Sequence, residues 1–111
     1  MLAAAALLLF APVALAHSEL LASQPAEGAR LTAAPATIEL QFSEPVQLTA
    51  LALVDATGRR TRVALPADTT PQATVRLPAP PLAPGTWGIE WRAISADGHA
   101  ARGTVRFSVQ P

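Results

Sequence analysis

Apolar side chains recur at every second position along four separate segments: Ile38, Leu40 and Phe42; Ala73, Val75 and Leu77; Trp87, Ile89 and Trp91; Val105, Phe107 and Val109. In an extended chain each set lies on one face, with Thr37, Glu39 and Gln41, or Glu90 and Arg92, on the other. A helix would scatter these residues around its axis, so the pattern predicts strands buried on one side. Turn formers fill the gaps, drawing on 11 prolines: Pro25 to Gly28, Pro35, Glu44-Pro45, Thr57-Gly58, Pro66 to Pro71, Pro78 to Gly85 and Asp97-Gly98. Val46 to Val54 is apolar enough for a further strand, and Arg59 to Leu65, following Gly58, reads as its hairpin partner. About seven short strands with a two-faced pattern predict a single all-β domain, two antiparallel sheets packed as a sandwich. Trp87 and Trp91 share a face with Ile89, which assigns them to packing rather than to stacking on a ligand.

The N-terminal segment has a different character. Residues 2 to 16 carry no polar side chain and close on the small-x-small pattern Ala14-Leu15-Ala16. The run is shorter than the roughly 20 residues of a membrane-spanning helix and fits the apolar core and cleavage site of a signal peptide. No Lys or Arg precedes it, so the amino group of Met1 supplies its positive charge. Residues 1–16 are thus expected to be removed on export, leaving a domain over 17–111 with no membrane span.

Composition closes off several kinds of chemistry. Without cysteine there can be no thiol nucleophile, disulfide, zinc finger or iron–sulfur cluster. Eight basic residues balance eight acidic ones, and Arg59, Arg60 and Arg62 form the one tight basic cluster, beside a turn where a solvated hairpin edge explains them. A nucleic-acid partner would call for a basic face with stacking aromatics. An aromatic platform for sugars is equally hard to build without tyrosine and with two core tryptophans.

Cleavage after Ala16 would expose His17, whose free α-amine and Nδ1 form a chelating pair that no internal histidine can offer. The other histidine, His99, follows Asp97 and Gly98 directly after a strand. The glycine lets the backbone turn sharply, so that a carboxylate and an imidazole two residues apart can converge. If the new N-terminus folds back beside this turn, the His17 amine and imidazole, the Asp97 carboxylate and the His99 imidazole meet as three nitrogens and one oxygen. A near-planar set of that kind suits Cu(II), whereas zinc prefers a tetrahedron. The sole methionine is Met1, so the mature chain lacks the soft ligands that Cu(I) favours.

Several of these segments also stand together as a family signature. His17-Ser18, Ser23-Gln24-Pro25-Ala26-Glu27-Gly28-Ala29, Leu40-Gln41-Phe42-Ser43-Glu44-Pro45-Val46, Pro84-Gly85-Thr86 and Trp91-Arg92-Ala93-Ile94-Ser95-Ala96-Asp97-Gly98-His99 resemble the CopC family of periplasmic copper-binding proteins across essentially the whole mature chain. The resemblance implies a small Greek-key β-sandwich, cupredoxin-like in shape. It implies Cu(II), one ion per chain, held by His17, Asp97 and His99, with Glu44 matching an acidic residue near the site; as a bare residue, Glu44 reads equally as a turn-capping carboxylate. It also implies a periplasmic location, a role in copper homeostasis or resistance, and a CopD-type inner-membrane importer as partner. The family's methionine-rich Cu(I) loop has no counterpart.

The expected function is therefore a non-catalytic Cu(II) carrier or buffer. Four protein ligands leave no evident open equatorial position, and no acid–base dyad or nucleophile stands nearby in sequence. Two other classes compete. A copper oxidase could use the same N-terminal histidine chelate, but such enzymes present a larger substrate face with exposed aromatics. A metal-free immunoglobulin-like interaction module would make both histidines incidental.

Overall fold

The computed structural model describes residues 19–111. The apolar leader and His17 lie outside the described residues. Seven strands follow one another: β1 (Leu20–Gln24), β2 (Ala29–Leu31), β3 (Thr37–Asp55), β4 (Arg60–Arg62), β5 (Gln72–Pro78), β6 (Gly85–Ser95) and β7 (Ala100–Val109). No helix among the described residues is long and apolar enough to cross a membrane.

The strands follow the alternation. Ile38, Leu40 and Phe42 on β3, Val75 and Leu77 on β5, Ile89 and Trp91 on β6, and Val105, Phe107 and Val109 on β7 are all buried, and they belong to one continuous core. Trp91 and Phe42 meet edge to face with ring centroids 5.1 Å apart, an arrangement the quadrupoles of both rings favour. Trp87 is half-buried, and its indole N–H donates to the Ala83 carbonyl at 2.9 Å.

The largest departure from the expected layout is β3. Residues 37–42 and 46–54, expected as two strands around a Glu44-Pro45 turn, form one strand of 19 residues. Its first part pairs with β1 and β5, and its second with β6 and β4. The crossing point is a bulge: on the β5 side Gln41 faces Thr74 and the next partners are Val46 and Gln72. Pro45 sits inside that unpaired stretch, where its missing N–H deprives the ladder of nothing. A second irregularity, between Leu48 and Ala50, moves the inward set from Val46 and Leu48 to Leu51 and Leu53.

Because β3 belongs to both layers, the seven strands form one curled sheet rather than two separate ones. One pairing is also parallel instead of antiparallel: β2 lies along β7, with Ala29, Arg30 and Leu31 opposite Phe107, Ser108 and Val109. The expected hairpin after Gly58 is present but short, since β4 has three residues and pairs with Ala52 to Val54. Asp55 closes it by accepting from the backbone N–H groups of Thr57 and Arg59 at 2.9 and 3.0 Å, while Gly58 takes φ 87°.

Candidate metal site

Ser95, the last residue of β6, is buried, and from it the chain turns through Ala96 to Gly98 into β7. The turn is held by two backbone bonds: Gly98 N–H donates to the Ser95 carbonyl and Ser95 N–H to the His99 carbonyl, both at 2.9 Å. Gly98 takes φ 88°, a conformation in which a Cβ is strained. The result carries Asp97 and His99 out of the strand on the same side.

The two side chains meet. Asp97 Oδ2 lies 2.9 Å from His99 Nδ1. The other oxygen, Oδ1, accepts from the Ser95 hydroxyl, with the His99 backbone N–H further off at 3.4 Å. These bonds favour the charged form and hold the Asp97 carboxyl down to about 2, with the Ser95 hydroxyl the largest cause and the His99 side chain next. Both side chains reach solvent, at 39% exposure for Asp97 and 57% for His99. An ionised carboxylate and an imidazole thus sit together on a stiff turn, where an incoming cation can reach them.

The turn lies at the same part of the sheet as Glu19, the first described residue. Ser95 is opposite Val46 on β3. Three residues back along β3, Ser43 N–H donates to the Glu19 carbonyl at 2.8 Å, and Ser43 Oγ accepts from Glu19 N–H at 2.8 Å. Glu44, next to this clamp, is exposed in the bulge. No hydrogen bond or ion pair joins it to Asp97 or His99 among the described residues, and no group of three or more His, Cys, Asp or Glu converges there.

The structure therefore brings together Asp97 and His99, leaves Glu44 separate in the β3 bulge, and does not describe His17. Two contributors had no assigned role in the sequence. Ser95 orients Asp97, and Ser43 holds Glu19; a single serine carries no local pattern that distinguishes such a role from solvent exposure.

Comparison with known proteins shows the family and the fold. Residues 20–110 match the CopC domain. Copper resistance protein C of Pseudomonas syringae pv. tomato is 37% identical over 115 residues, covering 96% of this chain and 90% of that protein. The copper transport protein CutJ of Bacillus subtilis is 32% identical over 108 residues, covering 92% of this chain but 20% of that much longer protein. The crystal structure of CopC from Methylosinus trichosporium OB3b superimposes with a TM-score of 0.73 at 29% identity, covering 86% of this chain and 95% of that one. The domain match over residues 20–110, the relatives and the shared curled seven-stranded fold establish the family: this chain belongs to the CopC family of copper resistance proteins.

Proposed function

We propose that the exported chain is a periplasmic Cu(II) carrier or buffer, binding one ion through the His17 amine and imidazole, Asp97 and His99. The observation that carries this reading is the 2.9 Å approach of Asp97 Oδ2 to His99 Nδ1. Two ligands in cis positions about a square-planar ion, each about 2.0–2.1 Å from it, are themselves about 2.8–3.0 Å apart. Around a tetrahedral ion the same bonds would hold them about 3.3–3.4 Å apart. Replacing this contact by Cu(II) therefore needs almost no change in spacing, with the Nδ1 lone pair turning about 45° off the N···O line to meet the ion.

The Ser43–Glu19 clamp supports the N-terminal half of the ligand set. Ser18 alone separates Glu19 from His17, a span of at most about 7 Å when extended, and Glu19 is bonded to Ser43, three residues along β3 from the Ser95 partner. Glu44 is exposed on the same stretch, as an acidic group that adds negative potential near the ion. With its equatorial positions filled by protein, the ion is cargo, which favours carriage over catalysis. Delivery to a membrane importer of the CopD type is in keeping with the copper transport protein CutJ, in which the matching region is one part of a larger chain.

Two versions of the chain test the assignment, one beginning at His17 and one retaining Ala16. Retention converts the amine into a peptide nitrogen, a poor ligand unless deprotonated, so Cu(II) affinity should fall by more than about tenfold, the scale on which even supporting groups of metal sites act. Electron paramagnetic resonance should show one Cu(II) per chain in the first. Equal affinities in a competition titration would remove His17 from the site.

A further inference from the structure

Four of the chain's eight basic residues, Arg60, Arg62, Arg92 and Arg102, line one open cleft of about 860 Å³, with Glu90 the only carboxylate lining it among the described residues. They come from three strands. In one rung across the sheet Arg62 faces Ala52 and Ala52 faces Glu90; in the next, Ala50 faces Arg92 and Arg92 faces Arg102. Arg60 is tied to Glu90 at 2.8 Å, whereas Arg62, Arg92 and Arg102 form no salt bridge among the described residues.

Defence of a sheet edge accounts for Arg60 and Arg62 on β4. It does not account for Arg92, which lies on β6 with Ala50 of β3 on one side and Arg102 of β7 on the other. Like charges directly opposite on paired strands destabilise a sheet, and a chain of zero formal net charge has acidic residues enough to avoid that pairing. Between the arginines the sheet presents the small side chains of Ala50 and Ala52, leaving room for an extended backbone.

From this juxtaposition of unpaired guanidinium groups over a small-residue floor, we infer that the cleft is a docking surface for a carboxylate-rich segment of a partner protein. Guanidinium forks bind carboxylates in bidentate fashion, and three unpaired forks in one cleft match a run of Asp or Glu. An anionic lipid surface fits less well. Basic residues hold a protein on lipid together with inserted apolar side chains, and the exposed large hydrophobics among the described residues, Leu21 and Ile94, do not line the cleft. The inference is independent of copper, because none of the cleft residues belongs to the proposed metal site.

The test uses the mature chain with a metal chelator present, so that no ion bridges the probe to Asp97 and His99. A fluorescent octaglutamate peptide should bind at low salt and weaken at least tenfold when the ionic strength is raised to about 0.3 M. The double substitution Arg92→Glu with Arg102→Glu should weaken binding more than tenfold. Arg30→Glu, on exposed β2 outside the cleft, should change it less than twofold. Arg92→Ala checks that the effect is not unfolding: it should weaken binding at least threefold while its Tm stays level or rises, since a repulsive pair is removed. Absence of octaglutamate binding, an equal effect of Arg30→Glu, a lowered Tm for Arg92→Ala, or tighter binding to phosphatidylglycerol vesicles than to the peptide would each overturn the inference. Copper titration of the same variants should be unchanged, so failure here and failure of the copper assignment are separately visible.

Discussion

The Ser95 hydroxyl donates to Oδ1 of Asp97 while Oδ2 of the same carboxylate faces Nδ1 of His99. One buried strand-end residue thereby sets the direction of the carboxylate, and through it the direction of the imidazole. Groups that orient metal ligands in this way affect affinity by about 10–100-fold when removed. Ser95→Ala should lower Cu(II) affinity within that range and raise the Asp97 pKa from about 2 toward its ordinary 3.8. Competition titration reads the first effect and carboxyl chemical shifts against pH read the second. An unchanged pKa would show that His99 alone holds the carboxylate down.

Site and core should separate cleanly by mutation. Asp97 and His99 are exposed on a turn, so His99→Ala or Asp97→Asn should weaken Cu(II) binding while leaving the thermal unfolding of the metal-free protein nearly unchanged. Trp91 is buried against Phe42, and Trp91→Ala should cost about 3–5 kcal/mol of stability. Its cross-strand neighbour is equally constrained, because a Cβ on residue 103 would stand 2.7 Å from the Trp91 ring. Gly103→Ala should therefore cost about 1–3 kcal/mol by overpacking. Denaturant melts of the four variants check both halves, and global unfolding of His99→Ala would contradict the assignment.

Copper binding should weaken as pH falls from 8 to 6. Binding displaces the proton of the His17 α-amine, of ordinary pKa about 7.7–8.0, so this group alone should release close to one proton per copper at neutral pH. Asp97, already held to about 2, contributes no proton in this range. Its lowered value also stabilises the folded turn above the unfolded pKa of 3.8, and that contribution is lost as pH falls from about 4 through 2. Calorimetry in buffers of different ionisation enthalpy counts the protons. Release of far less than one proton per copper at neutral pH would remove the amine from the ligand set.

Reduction should discharge the site. Nitrogen and carboxylate ligands suit Cu(II), while Cu(I) prefers thiolates and thioethers, and no cysteine or methionine follows Met1. Ascorbate with a moderate Cu(I) chelator should strip the loaded protein within the mixing experiment, followed by loss of the paramagnetic signal and growth of the chelator's absorbance. Copper that stays bound after reduction would require a different ligand set.

Much of this molecule is a local property of its sequence. The period-two alternation of Ile38, Leu40 and Phe42, and of Ile89 and Trp91, determined which residues would be strand and which side chains would be buried, because a pleated strand sends successive side chains to opposite faces whatever it pairs with. Asp97-Gly98-His99 was legible for the same reason: a turn that brings together groups two residues apart needs a glycine between them and little else. Which strands lie side by side is a non-local matter, and only the tertiary structure decided it. Pro45 reads as a strand breaker, yet β3 runs through it because the surrounding bulge leaves that position without a ladder partner. Likewise, Arg62, Arg92 and Arg102 are scattered in sequence and converge on one cleft because β4, β6 and β7 carry them there in adjacent rungs. Alternation reports a residue's face but holds no record of its neighbour across the sheet, so surfaces assembled from several strands appear only once the strands have paired.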